Sequence, residues 1–259
     1  MTRLTLYVLA INLFGAAMLA IIPARGGSKS IPRKNIVPIQ GHPLIAYTIA
    51  ACQLSHQITQ IIVSTEDAEI AEIATHYGAE VPFLRPSEHS TDQSSDLGFL
   101  THFFEVIGAD EVALMRPVTP LRDPRSIDTI ISTWASISAS STSLRSVHEV
   151  REPPYKLFKL DASNQLCGFF TDFEGNTDYS ALPRQVFPAT FRGNGYADIV
   201  KLSTVSEGSC FGTRIHAFVT EEVIDIDTPT DMAFLDFQLQ TSSHPLLDYL
   251  NKNPEAASP

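Results

Sequence analysis

"LAIIPARGGSKSIPRKN", residues 19–35, joins a short apolar run to a loop that contains two glycines and four cations. The apolar run ends at Pro23, as expected of a buried strand that leads into a loop. After the loop, residues 41–55 carry apolar side chains at the spacing of one helical face. The order strand, loop, helix predicts a unit of an α/β sheet, with the loop at the carboxyl end of its strand, where such sheets bind ligands.

The charge of this loop contrasts with the charge of the whole chain. The chain has a formal net charge of −11 at pH 7, and no Asp or Glu precedes Glu66. The loop cations are Arg25, Lys29, Arg33 and Lys34. Such a local excess predicts a small bound anion, because nucleic-acid binding needs a broader basic surface. A solvated surface loop is the alternative that charge alone leaves open.

The loop backbone favours the anion. Gly26 and Gly27 permit a tight turn in which backbone N–H groups approach a ligand closely, and the neighbouring cations can neutralise phosphate. The sequence matches neither G-x-x-x-x-G-K-[ST] nor G-x-G-x-x-G, so it predicts neither a P-loop NTPase nor a dinucleotide-binding protein. We interpret it as a phosphate-binding loop.

The rest of the chain predicts one α/β domain over residues 18–241. Alternating strands and helices indicate a mostly parallel sheet with helices on both faces. Further strands are expected at residues 60–65, 79–85 (a strand or an extended edge), 111–117, 210–220 and 223–227. Further helices are expected at residues 66–78, 96–108, 124–137 and 228–240.

Three regions depart from this pattern. Residues 145–205, approximately, have the alternation and turn signals of antiparallel β structure, and predict an inserted arm that reaches a neighbouring subunit. Residues 242–259 are expected to form a C-terminal tail. Residues 1–17 resemble a signal peptide or membrane anchor but run directly into the first strand at Met18. We therefore expect residues 1–17 to be a non-native or flexible extension, and no membrane association.

The cysteines bear on the compartment. Cys52, Cys167 and Cys210 lie far apart, with no metal-ligand spacing and no even set for disulfides. A reducing cytoplasm is the expected location.

A pair of carboxylates near the C-terminus is the second chemical feature. Asp225 and Asp227, in "VIDIDTPTD", are two residues apart on an expected strand, so both would project from one face. Two like charges this close favour a cation between them. Together with the expected phosphates, the pair predicts Mg²⁺, which binds one or two carboxylates and substrate oxygens. A solvated acidic strand end is the alternative for an isolated pair of this kind.

Five segments in this order resemble the cytidylyltransferases that activate acylneuraminate-type sugar acids. They are "IIPARGGSKSIPRKN", "FLRPSEHSTD", "RPVTPLR", "LPRQVFPATFRGNG" and "VIDIDTPTD". The resemblance extends over residues 19–240, approximately. It implies the α/β fold of nucleotidyltransferases and nucleotide-diphospho-sugar transferases. It also implies CTP, Mg²⁺ and a 2-keto sugar acid as ligands, and a homodimer whose inserted arm completes the neighbouring active site.

The resemblance also implies roles for individual residues. The catalytic set would be Arg25, Lys34, Asp225 and Asp227, and the two aspartates would bind the metal. The nucleotide-binding set would be Arg25, Gly26, Gly27, Ser28, Lys29, Lys34, Asn35, Arg85 and Ser95. The set for the sugar acid would be Arg116, Lys156, Arg184, Arg192 and Asn194. The anomeric hydroxyl of the acid would attack the α-phosphorus of CTP, and pyrophosphate would leave.

One position differs from the family pattern. "RPVTPLR" has Arg116 where acylneuraminate enzymes commonly have the Gln of Gln-Pro-Thr-Ser-Pro-Leu-Arg. An added cation there favours a related nonulosonic acid, such as a legionaminic- or pseudaminic-type sugar, over plain N-acetylneuraminate. Alternatively, Arg116 pairs with a nearby carboxylate such as Asp123.

Other functions stay open at this point. They are a cytidylyltransferase for the eight-carbon acid of lipopolysaccharide, a nucleotidyltransferase for a different base, and a non-catalytic nucleotide-sugar binding protein on the same fold.

Overall fold

The computed structural model describes residues 17–253. The extension expected at residues 1–17 lies outside the described residues, except for Ala17, and so do the last six residues of the expected tail. The strands are β1 (Met18–Pro23), β2 (Pro38–Ile39), β3 (His42–Pro43), β4 (Ile58–Ser64), β5 (Glu111–Leu114), β6 (Ser143–Val150), β7 (Phe158–Leu160), β8 (Leu166–Gly168), β9 (Thr190–Gly193), β10 (Asp198–Lys201) and β11 (Ile215–Val219).

Seven of these strands form one sheet. Its order is β11-β6-β10-β5-β1-β4, and β9 pairs with the later half of β6. β1 is parallel to β4 and β5, and β11 is parallel to β6. β10 is antiparallel to both of its neighbours. The expected mostly parallel sheet is therefore confirmed.

The strand quoted at the outset lies inside the sheet and is buried on both faces. Ala20 and Ile22 point into one apolar cluster, whereas Leu19 and Ile21 point into a second cluster on the opposite face. Successive side chains of a strand point to opposite faces, so an uninterrupted apolar run suits a strand that is covered on both sides.

Helices cover both faces, as expected. They are α1 (Leu44–Leu54), α2 (Ala68–His76), α3 (Asp96–Ile107), α4 (Pro124–Ile137), α5 (Leu202–Ser206), α6 (Pro229–Thr241) and α7 (Pro245–Lys252). The first apolar cluster includes residues of α1, α2, α4, α6 and α7, and the second includes residues of α3 and α5. None of the helices within residues 17–253 is both long enough and apolar enough to span a bilayer.

Two expected strands are not strands. In residues 79–85, an isolated bridge joins Glu80 to Ile62, so this segment is the extended edge that the sequence left as an alternative. Residues 221–227 are also extended without being a strand, and the N–H of Ile226 donates to the carbonyl of Val118 at 2.8 Å. This segment lies against the loop after β5, beyond the last paired residues of the sheet.

The inserted arm is shorter than expected. Residues 145–205 include β9, β10 and most of β6 and α5, which belong to the main sheet and its covering layer, so the excursion comprises residues 151–189. The arm also buries a core of its own. Tyr155 stacks on Phe187 with ring centroids 4.9 Å apart, and Phe173 and Tyr179 pack around them. These aromatic side chains are distant in sequence, so their clustering was not apparent from local patterns.

The C-terminal region also differs from the expectation of a tail. Residues 245–252 form α7, which packs on α1 and buries Leu246 and Leu250 completely or almost so. The spacing of these two leucines is one helical turn, which gives the helix an apolar stripe.

Candidate active site

The cationic loop lies at the carboxyl end of β1 and is held by the start of α2. The N–H of Gly26 donates to Oε1 of Glu66 at 2.7 Å. A Cβ atom on Gly26 would lie 2.5 Å from Oδ2 of Asp67, so a larger residue would displace the carboxylate that pairs with Arg33. The side-chain amide of Asn35 donates to the carbonyl of Arg25 at 3.0 Å and closes the loop on itself.

All four loop cations contact carboxylates from other segments. Arg25 and Lys29 both pair with Asp92, at 2.9 and 2.7 Å. The hydrogen bond from Lys29 and the charges of both cations hold the pKa of Asp92 below its usual value. The single carboxylate of Asp92 therefore neutralises two cations, and a more highly charged anion could displace it from them.

The other two cations are anchored differently. Arg33 pairs with Asp67 and Glu69 at the start of α2, at 2.5 and 2.6 Å. Lys34 donates to the carbonyl of Ile226 at 2.7 Å and to Asp227 at 3.1 Å. Lys34 thus joins the loop to the acidic segment, 193 positions away in the sequence.

A pocket of about 280 Å³ opens beside the loop. Eight of the residues expected at the site line it: Arg25, Gly27, Ser28, Lys34, Asn35, Arg85, Ser95 and Arg116. Asp92, Asp96 and Val118 are also in its wall. Nucleotide-binding positions and one position expected to contact the sugar acid therefore share one pocket.

Arg85 is a buried cation in this wall. Its guanidinium donates to the hydroxyl and carbonyl of Ser64 at the end of β4, and lies 5.0 Å from the ring centroid of Phe99. Burial lowers the pKa of Arg85 to about 10, so the guanidinium stays charged at neutral pH. It contributes positive charge to the pocket from a fixed position.

The acidic segment presents its two aspartates on either side of the buried Ile226. Arg192 of β9 donates to Asp225 at 3.0 Å, and Lys34 contacts Asp227. Burial, followed by the charge of Asp227, raises the pKa of Asp225. The aspartates are therefore close enough to repel each other, as expected, although the segment is not a strand.

Asp225 and Asp227 would be the ligands that the protein contributes to a metal site here. Within residues 17–253, no group of three or more His, Cys, Asp or Glu side chains is arranged to hold a metal ion. The donor set nevertheless fits Mg²⁺, which typically takes one or two carboxylates and completes its octahedron with phosphate oxygens and water. Cation binding would also relieve the repulsion that raises the pKa of Asp225.

Arg116 combines the two alternatives that the sequence left open. It pairs with a carboxylate, but the partner is Asp96 at the start of α3, and both side chains line the pocket. Asp123 instead accepts from the backbone N–H of Arg125 and pairs with the Arg125 side chain, capping α4. The wall therefore offers an adjacent donor and acceptor to a ligand.

The remaining positions expected to bind the sugar acid lie outside the pocket wall. Lys156 donates to the carbonyls of Ser180 and Leu182 within the arm. Arg184 contacts the carbonyl of Arg151 at 3.4 Å. Asn194 is buried, and its side-chain amide donates to Thr220 at 2.8 Å. Within this chain, the structure brings Arg116 and Arg192 to the site but not Lys156 or Arg184.

Sequence reasoning missed three residues of this region. Asp92 and Asp96 pair with site cations, and Arg122 is a fully buried cation behind the pocket. Asp92 and Arg122 fall within segments that carry the family resemblance, and Asp96 begins a predicted helix. These positions could have marked the residues as candidates for the site, but their ion-pair and hydrogen-bond partners could not be predicted from local sequence.

Comparison with known proteins bears on the family of the chain. The sequence profile of the family described as cytidylyltransferase matches residues 19–155. The chain is 31% identical to the CMP-N,N'-diacetyllegionaminic acid synthase of Legionella pneumophila, over 89% of this chain and 99% of the relative. It is 30% identical to a pseudaminic acid cytidylyltransferase of Campylobacter jejuni, over 83% of this chain and 93% of the relative.

A solved structure shares the fold at greater distance. The CMP:2-keto-3-deoxy-manno-octonic acid synthetase complexed with CTP superposes with a TM-score of 0.66 at 15% identity, covering 87% of this chain and 99% of that one. At this identity the likeness concerns the fold alone.

Proposed function

The chain belongs to the cytidylyltransferase family, and we propose that it activates a nonulosonic acid with CTP, producing the CMP-sugar and pyrophosphate. The observation that carries the proposal is the meeting of the loop cations and the two aspartates through Lys34. Phosphoryl-type transfer needs positive charge at the oxygens where negative charge develops, and needs the reacting groups held in line.

The loop would bind the triphosphate. Arg25 and Lys29 would exchange the Asp92 carboxylate for phosphate oxygens, which carry more charge. Gly27 and Ser28 line the same pocket, and their backbone N–H groups would donate to the phosphates. Arg85 would add a fixed positive charge beside the nucleotide.

Asp225 and Asp227 are the residues that would hold Mg²⁺. When bound, the ion would neutralise charge on the phosphate oxygens and lower the pKa of a nearby hydroxyl. Carboxylates engaged in this way would release Lys34 and Arg192 from their present ion pairs. Lys34 could then contact a phosphate, and Arg192 the carboxylate of the sugar acid.

The pocket wall supports a nonulosonic acid with several polar substituents. Asp96 neutralises Arg116, so the pair offers a donor and an acceptor rather than an unpaired positive charge. Hydroxyl and acylamino groups need both. The relatives named for legionaminic and pseudaminic acids agree with this choice.

We also propose that two copies of the chain share their active sites. The arm exposes a set of large apolar side chains, which favours burial against another protein. They are Leu157, Phe158, Leu160, Leu166, Phe169, Phe170 and Val186. Lys156 and Arg184 lie on this arm, outside the pocket of their own chain, and would serve the partner's site. The proposed location is the cytoplasm, in keeping with three free cysteines.

The decisive experiment is a substrate panel. The protein is incubated with CTP, Mg²⁺ and, separately, N,N'-diacetyllegionaminic acid, pseudaminic acid, N-acetylneuraminic acid and the eight-carbon acid, and pyrophosphate and CMP-sugar are measured. We expect turnover with a nine-carbon acid of the first two types. Turnover with the eight-carbon acid alone would assign the alternative substrate. CTP binding without turnover of any acid would favour the non-catalytic binding protein.

Shared sites are tested by mixing two inactive variants. Lys156→Ala, on the arm, is combined with Arg25→Ala, in the loop, under conditions that exchange subunits. Because a hybrid dimer would contain one site with both an intact loop and an intact partner arm, some activity should return. Exchanged dimers that stay inactive would contradict the shared site.

A further inference from the structure

Arg122 is a fully buried cation whose five N–H donors all have acceptors. Its Nη1 donates to the hydroxyl of Thr48 at 2.8 Å and to the carbonyl of Thr119. Its Nη2 donates to the carbonyl of Gly195 at 2.8 Å and to that of Arg116, and its Nε donates to the carbonyl of Tyr196. A guanidinium has five donors, so this inventory is complete.

These partners are four carbonyls and one hydroxyl, with no carboxylate among them. Burial lowers the pKa of Arg122 to about 10, which leaves the group charged at neutral pH. Burying a charge without an ionic partner is unfavourable unless many hydrogen bonds compensate. A stabilising core position would be filled more favourably by an apolar side chain, so the use of a guanidinium here needs a reason other than stability.

The reason lies in the segments that Arg122 joins. Residues 116–119 form part of the pocket wall through Arg116 and Val118. The carbonyl of Val118 accepts from the N–H of Ile226, which sits between the two aspartates. The hydroxyl of Thr119 donates to the carbonyl of Asn194 at 2.8 Å, next to the end of β9, which carries Arg192. One guanidinium therefore fixes the junction of the pocket wall, the acidic segment and the root of the arm.

We propose that Arg122 is a positioning residue for the transfer reaction, which sets the acidic segment and Arg192 against the nucleotide pocket without touching the substrates. The expected effect of Arg122 on kcat rests on the proposed function, whereas its role in holding the three segments together rests on the geometry alone. It distinguishes two parts of the site. The loop backbone at Arg25 and Gly26 is anchored by Asn35 and Glu66, which do not contact Arg122, whereas the segments after β5 and β9 bond to Arg122 directly.

The test compares Arg122→Lys with Thr48→Val. Lysine keeps the charge but has three donors for five acceptors, so at least two acceptors, and therefore at least one carbonyl of the junction, lose their partner. Thr48→Val removes the one partner that lies on α1 and leaves all four loop carbonyls bonded, which makes it the matched control for disturbing the same buried group. For both variants we would measure the melting temperature, the affinity for CTP by calorimetry, and kcat and KM with the panel acid on which the parent is most active.

Arg122→Lys should lower kcat by roughly tenfold to a hundredfold, the scale expected for misplacement of reacting groups by about 1 Å. Its affinity for CTP should stay within about threefold of the parent, because the loop is anchored elsewhere. Thr48→Val should retain the kcat of the parent when kcat is measured at a temperature at which the variant is fully folded. Activity lost by both variants in proportion to their loss of stability, or CTP affinity lost together with kcat, would overturn the proposal.

Two further measurements keep the test decisive. Amide hydrogen exchange of residues 116–119 and 194–196 should accelerate in Arg122→Lys more than in Thr48→Val. This readout holds even if the parent turns over none of the acids, so failure of the proposed function is separable from failure of the positioning role. Should Arg122→Lys not fold, Thr119→Val removes the bond to Asn194 at the same junction, and it must lower kcat while sparing CTP affinity. A Thr119→Val variant with unchanged kcat would count against the proposal.

Discussion

Replacing Lys34 by methionine removes the cation that joins the loop to the acidic segment while keeping most of the apolar stem. The Lys34 side chain is 13% exposed, and its Nζ lies 2.7 Å from the carbonyl of Ile226 and 3.1 Å from Asp227. Lys29, in the same loop, is 81% exposed and contacts Asp92. Lys29→Met is therefore a control with the same change of charge and a different burial.

The difference in burial sets the expected magnitudes. A hydrogen bond from a largely buried charged group is worth about 1.5–3 kcal/mol, so Lys34→Met should weaken CTP binding by roughly 10- to 150-fold if Lys34 contacts a phosphate. An exposed ion pair is worth about 0.2–1 kcal/mol, so Lys29→Met should weaken binding by no more than about fivefold.

Calorimetric titration with CTP in the presence of Mg²⁺, at low and at high salt, measures both effects. The contribution of Lys29 should shrink at high salt because an exposed charge is screened, whereas most of the contribution of Lys34 should persist. Melting temperatures establish that both variants are folded. Equal losses in the two variants, or undiminished CTP affinity in Lys34→Met, would refute the assignment of Lys34 to the triphosphate.

Three further predictions concern carboxylates. Asp227→Asn should lose most turnover while still binding CTP, with partial rescue by added Mg²⁺, because a metal ligand acts mainly on the charge-developing step; normal turnover in a chelator would show that no metal is needed. Asp92→Asn should bind CTP more tightly than the parent, since a competitor for Arg25 and Lys29 is removed, and weaker binding would mean that Asp92 organises the loop instead. Burial raises the pKa of Asp198 in the folded state. At pH values between the ordinary pKa and the raised one, the folded state therefore binds a proton that the unfolded state does not. Lowering the pH through that range stabilises the fold. Asp198→Asn should therefore have a higher melting temperature than the parent at pH 7, and the difference should become smaller as the pH falls. A difference in melting temperature that does not change with pH would contradict the prediction.

Local sequence determined the core of the fold and the position of the loop. The apolar run at residues 19–24, the glycines and the following helix are neighbours in the chain, so their propensities and spacing are sufficient to predict strand, loop and helix in order. The same holds for α4, where Asp123 caps the helix and Pro124 takes its first position. The cations and aspartates could be singled out because residue type limits the chemistry of a side chain wherever it lies.

Only the tertiary structure decided which charges meet. Arg25 and Asp92, Arg116 and Asp96, and Arg192 and Asp225 come from separate segments, and their pairing depends on sheet order and loop paths. The extended segment at residues 221–227 has the pattern of a strand, but a strand also needs a partner edge, and its neighbour is the loop after β5. Arg122 shows the same dependence, because five acceptors from three parts of the chain surround it only after the sheet has formed. Long-range contacts of this kind are set by the summed packing of the whole domain, which no local stretch of sequence contains.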